Sequence, residues 1–177
     1  MLNSRSLSIP TIVLHWLIAI AFIGVFALGL YMVDLPRNPD KFALYDIHKS
    51  IGFLILLVAV VRIVWRVKEG ALPAASEMPA WQEKLGKAVH GLLMLATLAM
   101  PLSGILMSIG GGRAIEVFGL QIIAAGEKTP WLQEAAGTLH GMAVYVLVAL
   151  FVLHGAGALK HQFIDKDGTI TRMLGRA

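Results

Sequence analysis

Residues 135–159 read AAGTLHGMAVYVLVALFVLHGAGAL, 25 consecutive positions without Asp, Glu, Lys or Arg. About 20 apolar residues in helical conformation cross the ~30 Å hydrocarbon core of a bilayer, so this run is long enough to span one. It nevertheless carries two histidines, His140 and His154. An imidazole in hydrocarbon loses its water partners and must find others, so a histidine there marks a functional position by default. The two lie 14 residues apart. At 100° and 1.5 Å per residue, that separation is about 40° short of four full turns and ~21 Å along the axis. Both therefore share one helix face at two depths, which is the geometry for two stacked cofactors.

The rest of the chain is of the same kind. Hydrophobic residues make up 57%, charged residues only 15%, and the mean hydropathy is +0.74, which is the composition of an integral membrane protein. Residues 12–33 and 88–112 are also free of charge. A fourth run, about 47–67, carries Lys49 near one end and Arg62 and Arg66 near the other, where long side chains can snorkel to the interface. Backbone groups in lipid must be satisfied internally. The fold class expected is therefore all-α, an integral membrane four-helix bundle forming one domain over 1–177, with helices at about 12–33, 47–67, 88–111 and 136–160. The first run follows Arg5 and contains a small-residue stretch at 27–29, but its apolar length exceeds that of a secretory signal.

Ten Lys and Arg residues fall on the side of the two termini and five on the other, so both termini are expected in the cytoplasm. The pI near 9.6 then reflects topology, and no nucleic-acid partner is called for. The connections are expected at 34–46, at 70–84 with Pro73 and Pro79, and at 113–134. The last contains Val117, Phe118, Leu120, Ile122 and Ile123, which suits a segment on the outer interface or a lid over the bundle, the alternative being a surface loop with some buried apolar residues. Trp81 and Trp131 mark interfaces.

Depth sorts the histidines. His48 enters from outside on the second helix and His140 does so on the fourth, so these two form one outer pair. At inner depth His15, His90, His154 and His161 compete for a second pair, and counting along the helices does not choose among them. The chain has no cysteine, which removes thiolate clusters and thioether-attached haem. Two neutral imidazoles from different helices on opposite sides of an iron, inside an apolar bundle, are what a b-type haem requires. Gly52, Gly91, Gly141 and Gly155 beside the histidines would leave room for a flat macrocycle, or would serve close helix packing. Arg62 follows His48 by 14 residues and so sits at inner depth, where a buried cation wants an anion. Haem propionates would supply it, with Arg62 or Arg66 inside and Lys49 or Arg37 outside as partners.

These residues carry a resemblance. His15-Trp16-Leu17, His48-Lys49-Ser50 with Gly52, Arg62, Trp65 and Arg66, His90 with Pro101-Leu102-Ser103-Gly104, and a tail running Ala158-Leu159-Lys160-His161, Phe163, Asp167-Gly168 and Arg172-Met173-Leu174 resemble the bacterial cytochrome b561 family over nearly the whole chain. The resemblance implies a four-helix protein of the bacterial inner membrane holding two haem b groups. It implies that His15 and His154 ligate the inner iron and that His48 and His140 ligate the outer one. It also implies electron transfer involving the quinone pool, one member class oxidising superoxide while reducing ubiquinone. The tail departs from the family at Gln162, where members often have a second histidine after the equivalent of His161.

The function expected is transfer of electrons from a periplasmic one-electron donor, superoxide among the candidates, to ubiquinone. His90, His161 and Lys160, which ligation does not need, would line the quinone site and supply protons. Lys49, Arg37, Arg113 and Lys128 could focus an anionic donor. One alternative is a cytochrome b anchor subunit for a hydrogenase or dehydrogenase. A metal or proton carrier would want carboxylates beside the imidazoles, and the three charge-free runs have none. An intramembrane protease on Ser103 is set aside because Pro101 explains a kink whose freed backbone Ser103 can satisfy.

Overall fold

A computed structural model describes residues 6–72 and 75–176; Arg5 and Pro73 lie outside the described residues. Four long helices dominate: α1 (Ile9–Val33), α2 (Pro39–Glu69), α3 (Ala80–Gly110) and α4 (Pro130–Leu159). Each is long and apolar enough to cross a membrane. Their outward faces confirm the solvent: Ile20 is 70% exposed, Val64 63% and Val152 64%, an apolar exterior that only lipid can cover. Inside, Ile18, Phe22, Ile55, Ala59 and Leu147 form the buried core. Consecutive helices are close neighbours. Across the bundle, α1 and α4 meet through side chains instead, with Phe151 edge-on to both Phe22 and Phe26 at centroid distances of 6.1 and 5.5 Å.

Three helices begin well before the apolar runs do: α2 at Pro39 against an expected 47, α3 at Ala80 against 88, and α4 at Pro130 against 136. The apolar run measures hydrocarbon thickness, whereas helical hydrogen bonding continues until a cap ends it. Asn38 caps α2 by accepting from the Lys41 amide at 2.9 Å. The added turns of α2 are functional packing. Lys41 is only 6% exposed, and its ammonium donates to the carbonyls of Val33 (3.3 Å) and Leu35 (2.6 Å) where α1 runs out of intrahelical partners.

The 113–134 connection is an antiparallel hairpin, β1 (Ile115–Val117) and β2 (Leu120–Ile123). Its turn places Phe118 at φ 49° and Gly119 at φ 85°, both left-handed, as a two-residue hairpin turn requires. None of the five apolar residues named for this segment is buried: Val117 is half-buried and the other four are exposed. Phe118 and Leu120 are exposed, while the buried member is Ile115, 1% exposed, which the sequence reading had not singled out. The hairpin is latched to α2 where the Phe118 amide donates to Ser50 Oγ at 2.9 Å.

After α4 the chain continues through a π-helical turn (Lys160–Asp165) into the short α5 (Thr169–Met173). This tail folds back onto α1, the Trp16 indole donating to the Met173 carbonyl at 2.7 Å. Asp167 is its knot, bonded to His161 Nδ1 (2.7 Å), Ser76 Oγ (2.9 Å) and Thr169 Oγ1 (2.7 Å). Burial works to raise its pKa, but the hydrogen bonds from Thr169, Ser76 and His161 outweigh it and hold the carboxyl below its ordinary value. A group depressed in the folded state stabilises the docked tail above its ordinary range and loses that contribution as pH falls through the depressed value. Asp167→Asn is accordingly expected to loosen the tail at neutral pH, and hydrogen exchange of residues 161–176 measures it; unchanged protection would refute the knot.

Candidate functional site

Four helices deliver five histidines to two levels. At the hairpin end, His48 from α2 faces His140 from α4 with ring centroids 6.2 Å apart and planes at 73°. At the end where the tail docks, His15 from α1 faces His154 from α4 at 6.1 Å and 56°. His90 from α3 stands closer to His154, at 5.2 Å.

These spacings discriminate. A metal–imidazole bond is about 2.0 Å, so two imidazoles on opposite sides of one metal have centroids roughly 6 Å apart. Both the His48/His140 and the His15/His154 pairs meet that distance, whereas His90 and His154 are too close and are in ring contact.

Around the hairpin-end pair lies an open cleft lined mainly by apolar groups such as Phe22, Val25, Phe26, Pro101 and Ile115. Two glycines seat the rings. A Cβ on Gly29 would stand 3.1 Å from His48 Cε1, and one on Gly104 would stand 3.4 Å from His140 Cε1. Gly29 was not legible from the sequence, because it is far from His48 along the chain and meets it only across the α1/α2 contact. The four glycines beside the histidines behave otherwise: a Cβ on Gly52, Gly91, Gly141 or Gly155 would find nothing within 4 Å, so they leave open space and close no helix contact within the chain.

The second nitrogens differ between the rings. His140 Nδ1 lies 2.9 Å from Ser103 Oγ and 3.1 Å from the Met100 carbonyl oxygen. His48 Nδ1 is buried with no side-chain partner, and the polar neighbour of its ring is the Val25 backbone. Arg62 Nη2 approaches His15 Nδ1 at 3.3 Å, placing a half-buried cation beside the tail-end pair. Arg66 instead bonds the Gly70 carbonyl and lies 3.9 Å from Glu69, as an interfacial anchor does. Lys49 borders the hairpin-end space and is paired with Asp46 at 2.7 Å. Of the residues expected at a quinone site, His90 stands among the tail-end histidines. Lys160 is held by Asp165 (2.6 Å) and His161 by Asp167, within the tail network.

A family model described as prokaryotic cytochrome b561 matches residues 6–176. The chain belongs to the prokaryotic cytochrome b561 family. Among its relatives, Cytochrome b561 homolog 2 of Escherichia coli (strain K12) is 41% identical over 168 residues, covering 92% of this chain and 88% of the relative. Cytochrome b562 of Cereibacter sphaeroides is 30% identical over 169 residues, covering 92% and 91%. A protein of Yersinia pestis named Probable superoxide oxidase CybB is 24% identical over 161 residues, covering 91% of each. Cytochrome b561 proteins are bacterial multi-pass membrane oxidoreductases that transfer electrons by means of haem b. The residues present fit that group. Paired imidazoles stand at ligation distance, an apolar space surrounds one pair, a seat without Cβ lies against each of its rings, and cations stand near both pairs.

Proposed function

We propose that this cytochrome b561 protein carries two haem b groups and passes electrons across the bacterial inner membrane from a periplasmic one-electron donor to ubiquinone. The observation that carries the reading is the duplication of one imidazole spacing, 6.2 and 6.1 Å, at two levels of α4. By the distribution of basic residues, the hairpin end faces the periplasm and the tail end the cytoplasm. His48 and His140 are the ligands of the outer haem, and His15 and His154 those of the inner one. Bound haem supplies the one-electron chemistry. The chain supplies ligation, an apolar medium and charge. Phe22, Phe26 and Phe151 contribute edge-to-face packed rings to the apolar interior.

Arg62 and Lys49 are positioned to neutralise haem propionates at their respective levels, Arg62 leaving His15 Nδ1 and Lys49 leaving Asp46 to do so. Ubiquinone is reduced at the tail end, beside His90, with His161 and Lys160 at the cytoplasmic edge. Each quinone takes two electrons in succession and two protons, which these side chains relay from the cytoplasm. Superoxide, named for the Yersinia pestis relative, is the proposed donor, each molecule losing one electron to become dioxygen.

The test is a reduced-minus-oxidised optical spectrum of the detergent-purified protein, with haem quantified per chain. Two low-spin b-type haems per chain are expected. One haem per chain would overturn the two-level reading, and a folded protein that binds none would overturn haem ligation by these histidines.

A further inference from the structure

Ser103 lies on α3 and is 2% exposed. Its hydroxyl oxygen is 2.8 Å from the Met100 carbonyl oxygen and 2.9 Å from His140 Nδ1, and the same carbonyl is 3.1 Å from that nitrogen. One hydroxyl hydrogen and one ring hydrogen serve these three contacts, and only two assignments are chemically open. If the hydroxyl donates to Nδ1, the ring proton sits on Nε2 and that nitrogen has no lone pair for a metal. If the hydroxyl donates to the Met100 carbonyl, Nδ1–H donates to the serine oxygen and is shared with the carbonyl, leaving the Nε2 lone pair free.

The second assignment satisfies every group and is the one compatible with ligation. The ring N–H is shared between the serine oxygen, the shorter contact, and the Met100 carbonyl, which also accepts from the hydroxyl. The partner ring is held differently, since no hydroxyl bonds His48, whose polar neighbour is the Val25 backbone. A ligating imidazole whose other N–H is held by an acceptor is fixed in tautomer and orientation and is the more basic ligand. An iron held at the hairpin end would thus meet one imidazole backed by a hydroxyl and one that is not.

We propose that Ser103 is a positioning residue that fixes the tautomer of His140 and raises its basicity, thereby lowering the reduction potential of the hairpin-end haem. The inference rests on the dihaem reading above. It explains why a serine hydroxyl is buried between α3 and α4: the hydroxyl bonds the Met100 carbonyl and not that of Thr97, which Pro101 deprives of its amide partner, so repair of the proline kink is not its role.

Threonine and valine have nearly the same shape and differ at this position by the hydroxyl. Redox titration of Ser103→Thr and Ser103→Val beside the native protein therefore isolates it, because both variants add the same bulk. In Ser103→Val one of the two midpoint potentials is expected to shift upward while the other stays in place, and Ser103→Thr is expected to keep the native pair. Loss of one haem by the valine variant with retention of both by the threonine variant would support the same role. Equal potentials in the two variants, or loss of haem from both, would overturn it. Failure of the dihaem reading is distinguishable, because it shows in the native protein as fewer than two haems before any variant is made.

Discussion

Replacing His48 or His140 by alanine is expected to leave one haem per chain, and replacing His15 or His154 is expected to do the same, whereas His90→Ala keeps both. The distinction rests on ring spacing, since His154 stands 6.1 Å from His15 and 5.2 Å from His90. Only the first distance admits a metal between two imidazoles. Depth along the helices cannot separate the two, so this result would decide what position alone leaves open. The four variants should also divide into two classes by spectrum if, as proposed, each pair ligates one haem at its own level. Haem per chain by pyridine haemochrome, beside far-ultraviolet circular dichroism to confirm retained helix, is the measurement. Loss of haem on His90→Ala comparable with that on His154→Ala would refute the proposed inner pair.

The second large effect is steric. Gly110 closes α3 against the first turn of α4, where a Cβ would lie 2.4 Å from the Gln133 amide nitrogen and 2.9 Å from its Cα. These are backbone atoms, which cannot rotate aside as a side-chain tip does. The Gly110 carbonyl also accepts from the Thr129 amide at 2.8 Å. Gly110→Ala must therefore shift the start of α4, two turns before His140, and is expected to destabilise the protein by about 3 kcal/mol, at the upper end of overpacking effects. Gly24→Ala in α1, where the added Cβ meets nothing within 4 Å, is the control and should be close to neutral. Thermal unfolding in detergent compares them. Equal melting temperatures would show that α4 tolerates displacement at this point.

The spans were legible because the contrast between hydrocarbon and water is written residue by residue. Charge-free runs located three of the crossing helices, and an apolar run carrying Lys49, Arg62 and Arg66 located the fourth, though not where α2, α3 and α4 begin. Caps such as Asn38 and contacts such as Lys41 on the α1 carbonyls depend on neighbouring chain and leave no apolar signature. Depth was legible by counting, so His48 and His140 could be grouped before any coordinates. Lateral distance was not, because whether α1 or α3 stands at bonding distance from His154 depends on how the helices pack around one another. The same limit hid Gly29, which seats a ring on another helix, and Ile115, whose burial follows from a hairpin turn rather than from periodicity.

Because α4 contributes one imidazole to each pair, it acts as a gauge bar whose graduations are fixed. One residue inserted between His140 and His154 would swing the lower imidazole by about 100° around the axis, out of the bundle, and four would restore it only to within about 40°. The segment between these marks can accept new side chains but not a new length. The hairpin segment lies outside the gauge, so a change of length there would leave the calibration of both levels intact.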